Sequence, residues 1–489
     1  MKRRRTREIG FRVTKLPVYA LLFGLVLIWP SGGGVANAQE TPDTGLSVPP
    51  GQLAEKIPYG PDQSESYAAY LAESAAPNQL LPVLFVFDPA ARGALAVETF
   101  GEIAEVHGML LVGSNEARNG PYERNFDIVN RLFSEIFNKY PIDGERVFLT
   151  GFSGGSRLAA SVAILTGQIA GVIGCGAAFD STAGYIPPPG ADFLYAGVVG
   201  YQDMNFLEMG YAEEWLDRLA ITNKRVTFEG GHRWPDPGEL LRAMDWMMLA
   251  GHTQKGFPLE KPRIDAGLKR ALEAAQAYKR AGRLVDAIRE YRDIQELYAN
   301  LYALDSIPGA IDEIRDSDTY RELVNRMEGL AGEEEAWTTR FRGLAEAILQ
   351  RGSDREYGKW EAAWGRFRKK YDADTAPLIA DMQKRVEGFV FAFCIERANA
   401  LRTDGNYDES LKLSRLLTIA FPDRPYAWIR AAEDHARLEN EQEVFHALGK
   451  AVSLGFSDRA ALEARAAFAP YIGRDAWHSL FGGVADVPD

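Results

Sequence analysis

The stretch whose residue types could do chemistry is Gly151-Phe152-Ser153-Gly154-Gly155, a serine set between glycines. The apolar run Val147-Phe148-Leu149 leads into it, and a helix-compatible segment over 158–165 follows at once. Small residues two before and two after the serine let the chain turn sharply, lifting the hydroxyl above a sheet edge. That is the layout of a nucleophile elbow. An alcohol is a weak nucleophile and needs a base, and the base needs an orienting acid. Of the six histidines, only His107 and His232 fall well inside the segment where strands and helices alternate, and His107 precedes the serine. His232 lies in Glu229-Gly230-Gly231-His232-Arg233-Trp234-Pro235, where two glycines let a loop carry the ring back over the sheet edge. A plain surface histidine is the alternative. The acid is expected after the preceding strand, where Gly200-Tyr201-Gln202-Asp203 presents Asp203; Asp180 and Glu208 compete with it.

These residues need a scaffold. Short apolar runs recur at 67–71, 82–87, 109–113, 147–149, 171–174, 193–199 and 225–228. Helix-like segments at 95–106, 126–140, 158–165, 212–221 and 239–249 separate them. Continuous apolar runs are the mark of strands covered on both faces. Alternation at this spacing predicts a parallel α/β sheet with ligands at the carboxyl ends of its strands.

The pentapeptide at 151–155, the run at 230–235 and the strand-end Asp203 together resemble the α/β-hydrolase superfamily. Within it they are similar to exported esterases related to polyhydroxybutyrate depolymerases and feruloyl esterases. The resemblance covers residues 59–250. It implies that Ser153 is the nucleophile, His232 the general base and acid, and Asp203 its orienting partner, acting on a small-molecule or polymeric ester. Those esterases usually place His-Gly after the strand at 85–87, where this chain has Asp88-Pro89-Ala90-Ala91-Arg92-Gly93.

That departure bears on the oxyanion hole. One donor is expected from the N–H of Gly154, at a helix N-terminus. The other should come from the loop after the earlier strand. Pro89 has no N–H, so Ala90 is the candidate, with Ala91 next; Arg92 either adds charge or caps the loop. If neither amide points inward, a donor worth about 3 kcal/mol is missing. Asn115, Arg118 and Asn119 follow another strand and are candidates to hold substrate or organise the oxyanion loop. The alternative there is a turn whose Asn side chains bond their own backbone. Trp234 is a further candidate for substrate contact. The segment 177–191 is too short for a helical lid, which predicts an open site.

The N-terminus reads as an export signal over 1–38: a basic start, an apolar run at 16–29, then Ala36-Asn37-Ala38. An uncleaved anchor is the alternative. Residues 1–38 carry seven Lys/Arg against one Glu, so the rest of the chain holds −19 rather than the −13 of the whole. Such a charge repels phosphate backbones and excludes nucleic acid as a partner. The expected location is periplasmic or extracellular, with no stable membrane span after cleavage. Cys175 and Cys394 lie in separate apolar runs, without metal-ligand spacing. Neither a metal nor a cofactor is expected.

Past Pro258 and Pro262 helix formers dominate, with helical spacing at 267–280, 284–298, 336–349 and 379–402. Trp360, Trp364 and Phe367 mark one face as core. Residues 398–411 and 432–445 match at an offset of 34, pairing Ala398 with Ala432 and Asn406 with Asn440. This resembles tetratricopeptide repeats, whose concave surfaces bind peptides; a helical domain without a partner is the alternative.

The expected fold class is therefore an α/β-hydrolase parallel-sheet sandwich followed by an all-α helical-repeat domain. Its divisions are a signal at 1–38, a linker at 39–58, the hydrolase at 59–251, a second linker at 252–265 and helical repeats at 266–489. The expected function is that of an exported serine hydrolase, an esterase, with a possible protein partner on the repeats. A non-catalytic scaffold with a degenerate hydrolase fold is the second reading, and a peptidase on the same triad a third.

Overall fold

The structure is a computed structural model describing residues 48–481 except 76–78, 181, 183 and 373–375. The signal segment and residues 39–47 of the first expected linker lie outside the described residues. No helix among the described residues is long and apolar enough to cross a membrane. Eight strands form one sheet: β1 (Leu53–Tyr59), β2 (Glu65–Leu71), β3 (Leu81–Phe87), β4 (Leu110–Ser114), β5 (Ile142–Phe152), β6 (Gly171–Cys175), β7 (Leu194–Gly200) and β8 (Asn223–Phe228). Their order is β1-β2-β4-β3-β5-β6-β7-β8. From β4 to β8 all pairs are parallel, but β1 pairs β2, and β2 pairs β4, antiparallel. The sheet is mixed, which corrects the wholly parallel expectation. The connection between β1 and β2 is too short for anything but a hairpin. β1 itself falls inside the stretch read as linker, because a half-exposed edge strand such as LAEKIPY carries no apolar run.

Six helices flank the sheet: α1 (Gly93–Thr99), α2 (Gly101–His107), α3 (Tyr122–Lys139), α4 (Gly154–Thr166), α5 (Phe206–Arg218) and α6 (Pro237–Lys255). Alternate strand residues face opposite layers. Leu84 and Val86 join the core of α1, α2 and α6, whereas Phe85 meets Phe133 of α3 with ring centroids 4.4 Å apart. The single helix expected over 95–106 is two, broken at Phe100, next to a glycine that weakens helix there.

The remaining helices are α7 (Lys261–Arg280), α8 (Leu284–Tyr298), α9 (Ser306–Arg315), α10 (Asp318–Arg351), α11 (Asp354–Tyr371), α12 (Pro377–Thr403), α13 (Tyr407–Ala420), α14 (Pro425–Arg437), α15 (Glu441–Ser453), α16 (Arg459–Glu463) and α17 (Asp475–Phe481). One apolar core runs from the sheet through α6 into α7, α8 and α9, including Met244, Ile264, Ile294 and Ile311. It therefore continues across the break expected at 252–265. A second core spans α10 to α13, with Trp360, Trp364 and Phe367 buried against Phe341. Asn406 and Asn440, the residues offset by 34, both precede helices with nearly the same backbone angles.

Candidate active site

The elbow stands where β5 ends and α4 begins. Ser153 has φ 53° and ψ −117°, a left-handed conformation for a residue with a side chain, and its N–H donates to the Cys175 carbonyl at 2.8 Å. Holding such a residue costs about 1–3 kcal/mol, borne by the surrounding packing. The flanking glycines make that packing possible: a Cβ at Gly151 would strike the Gly155 backbone, and one at Gly155 would strike the Phe87 carbonyl.

Two loops deliver the acid and the base. The turn after β7 carries Asp203 and the turn after β8 carries His232. Backbone bonds zip them together, Tyr201 N–H to the Phe228 carbonyl at 2.9 Å and Gln202 N–H to the Gly230 carbonyl at 2.9 Å. His232 Nδ1 lies 3.0 Å from both Asp203 oxygens, and His232 Nε2 lies 3.0 Å from Ser153 Oγ. Asp203 is buried, and its Oδ1 also accepts from the Asn205 N–H at 2.9 Å. A carboxylate only accepts, so Nδ1 must carry the hydrogen and Nε2 must turn its lone pair to the serine hydroxyl. The geometry thus brings together the three residues named from the sequence. The competitors are engaged elsewhere. Asp180 accepts from Tyr122 and Thr182, and Glu208 from Arg157 and the Ala178 N–H.

The Asp88 loop departs from expectation. Ala90, the expected second oxyanion donor, gives its N–H to Asp88 Oδ1 at 2.8 Å, and Ala91 gives its own to the Asp88 carbonyl at 3.0 Å. Neither amide is free: the buried Asp88 carboxylate takes one and the Asp88 carbonyl the other. Arg92 grips Asp88 with two hydrogen bonds, and Trp234 Nε1–H donates to its Oδ2 at 2.9 Å. Burial pushes the Asp88 carboxyl up, but Arg92, Trp234 and Ala90 bond its charged form and hold it below the ordinary range. Trp234 is therefore committed: its ring also packs on Phe152, which in turn meets the His232 ring at 4.6 Å. The tryptophan fastens the histidine loop to Asp88. Asn115 is likewise committed, donating to the Glu55 carbonyl and to Ser66 Oγ across β1 and β2. Arg118 and Asn119 are exposed, on a loop tied to the Asp88 loop by the Asn119 N–H to the Pro89 carbonyl at 2.9 Å.

The helical half supports the acid loop, which the sequence alone does not announce. Gln202 Nε2–H donates to Asp381 Oδ1 at 3.1 Å, and Arg385 Nη1–H to the Tyr201 carbonyl at 2.8 Å. Arg283 bonds both Asp381 and Glu229, three residues before His232, and its guanidinium lies 3.7 Å above the Tyr201 ring. Asp381 and Arg385 stand one helical turn apart on α12, so one face of that helix meets one loop.

No protein-family model matches the chain, and no curated protein matches it. Among solved structures it is similar to a fluorophosphonate-binding serine hydrolase of Staphylococcus aureus, at 14% identity and TM-score 0.33 over 40% of this chain and 98% of that one. It is similar to esterase B of Lactobacillus rhamnosis at 17% identity and TM-score 0.33, over 43% of this chain and 90% of that one. A ferulic acid esterase matches at 12% identity and TM-score 0.32, over 40% and 96%. Strand order and the bend at Ser153, not these low scores, carry the fold.

Proposed function

We propose that the protein is a serine hydrolase acting on carboxylic esters. The observation that carries this is the unbroken line of hydrogen bonds from buried Asp203 through His232 to Ser153 on a strained elbow. Ser153 Oγ attacks the acyl carbon while its proton passes to His232 Nε2. The carbonyl electron pair moves onto oxygen, where the Gly154 N–H at the positive end of α4 receives it. Collapse breaks the bond to the leaving alcohol, which takes the proton from His232. Water, deprotonated by the same nitrogen, then releases the acid. Asp203 stabilises the imidazolium and keeps its tautomer throughout.

The reading extends to export, on the pattern of residues 1–38, and to a protein-docking role for the stacked helices of the C-terminal half, on the offset of 34. A second reading, a scaffold without turnover, draws on the committed amides of Ala90 and Ala91. Purified protein is treated with a fluorophosphonate and assayed on p-nitrophenyl acetate. Labelling that disappears in Ser153→Ala, with turnover in the wild type only, supports the hydrolase; no label and no turnover leave the scaffold. Turnover of amide substrates at a comparable rate would make it a peptidase.

A further inference from the structure

The attacked carbonyl oxygen needs two donors, and the amides expected to supply the second, those of Ala90 and Ala91, are engaged elsewhere. Pro89 lacks an N–H, and those of Ala90 and Ala91 are taken by Asp88. The neighbouring loop reaches the same place. Asn119 is pinned by its own N–H to the Pro89 carbonyl, and beside it Arg118 bridges to Ala90. Buried Asn125 holds the Arg118 peptide from both sides, accepting its N–H at 3.3 Å and donating to its carbonyl at 2.8 Å. From this fixed base the Asn119 carboxamide lies directly on Gly154, the first residue of α4 and the neighbour of Ser153. A Cβ on Gly154 would overlap the carboxamide oxygen, with Nδ2 3.4 Å from it. Among the described residues no hydrogen bond engages that side chain. Asn119 thus occupies the space that a side chain at Gly154 would take.

Resting on the serine hydrolase reading, we propose that Asn119 is a catalytic residue whose side-chain N–H is the second oxyanion donor. Its oxygen faces Gly154 in the free protein, as the positive end of a helix without an anion would favour. A developing oxyanion reverses that preference. The side chain is exposed, and a half-turn about its last torsion exchanges Nδ2 for Oδ1 in the same place. The donor then acts only on the charged state, which is where it accelerates the reaction.

The test uses the full chain and p-nitrophenyl acetate. Asn119→Ala should lower kcat by about 10²–10³, the loss typical of one oxyanion donor, with KM changed little. Asn119→Asp, of the same shape but without an N–H and with a charge that repels the oxyanion, should be at least as slow, and Asn119→Gln should recover part of the rate. Affinity for a trifluoromethyl ketone, which forms a tetrahedral adduct, should fall by the same factor as kcat/KM. Gly154→Ala offers an independent route: its methyl evicts the carboxamide, so kcat should fall likewise, and adding Asn119→Ala should cost little more. Unchanged or faster turnover in Asn119→Ala, or a normal rate in Asn119→Asp, would overturn the assignment while leaving a labelled Ser153 in place. A wild-type protein that takes up no fluorophosphonate overturns both readings together.

Discussion

The acid–base side of the site and its oxyanion side are built on different terms. On the first, every hydrogen bond is already made: Asp203 to His232, His232 to Ser153, and the carrying loop to Asp381 and Arg385. On the second, the loop amides are made too, but to Asp88 rather than toward the serine. Both loops are tied down; only one presents its bonded groups to Ser153. A loop can therefore be well ordered yet unavailable, and order alone does not identify the groups that do chemistry. On that side the uncommitted side chain, that of Asn119, is the one proposed to do chemistry.

The largest expected effects lie on the acid–base side. Ser153→Ala and His232→Ala should each remove nearly all ester turnover, about 10⁶-fold, with the double variant little worse because the members act as a unit. Initial rates on p-nitrophenyl acetate decide it, with circular dichroism to show that each variant is folded. Asp203→Asn comes next. The amide keeps the shape but donates where it should accept, so the ring loses its tautomer and turnover falls by up to about 10⁴. A loss under tenfold would move the acid to another residue.

How much of this is legible in the sequence depends on distance along the chain. The elbow and the histidine loop are signed by local glycine spacing, and the buried strands β3 to β7 by continuous apolar runs. What supports them is not signed locally. Gln202 meets Asp381, and Tyr201 meets Arg385, 179 and 184 positions away. No periodicity reports a contact of that kind. Asp88 reads in the sequence only as a missing His-Gly, and Trp234 and Asn115 as candidate substrate contacts, because a side chain's partners are set by the folded neighbourhood. The edge strand β1 escapes for a different reason: half exposed, it needs no apolar pattern.

The helical support should be nearly as costly to remove as the acid. Arg385 and Glu334 form a buried pair, with side chains 8% and 5% exposed. Arg385→Met leaves Glu334 alone in the core and should destabilise the protein by about 3–5 kcal/mol in urea unfolding. Replacing both by apolar residues should recover most of that stability. Burial holds the Glu334 carboxyl above its ordinary value even against Arg385. An acid whose folded pKa is raised favours the folded state as pH falls, so the Arg385→Met deficit should shrink on acidification. The double variant should still turn over slowly, because the Tyr201 carbonyl has lost its donor. Wild-type turnover in that double variant would show that α12 merely lies beside the acid loop.

The smallest effect belongs to Asp88, and it tests whether the oxyanion side is clamped for its own sake or for the histidine. Asp88→Asn keeps the size but weakens the grip of Arg92 and exchanges an ionic acceptor for a neutral one opposite Trp234 and Ala90. A hydrogen bond to a charged group contributes about 1.5–3 kcal/mol, and the amide retains part of it, so the variant should lose about 1–2 kcal/mol. The pH dependence identifies the cause. Asp88 is held below its ordinary range of about 3.8, so its contribution is complete above that value and lost as pH falls through the lower folded one. Wild type and Asp88→Asn should therefore differ by a constant amount at neutral pH and converge in acid. If Trp234 ties His232 to this carboxylate, kcat falls several-fold at constant KM, and Trp234→Phe, which keeps the ring and deletes only the N–H, reproduces the loss. If turnover is untouched while stability drops, Asp88 serves only its own loop, and Asp203, Phe152 and the Gly230–Gln202 zipper hold the histidine without it.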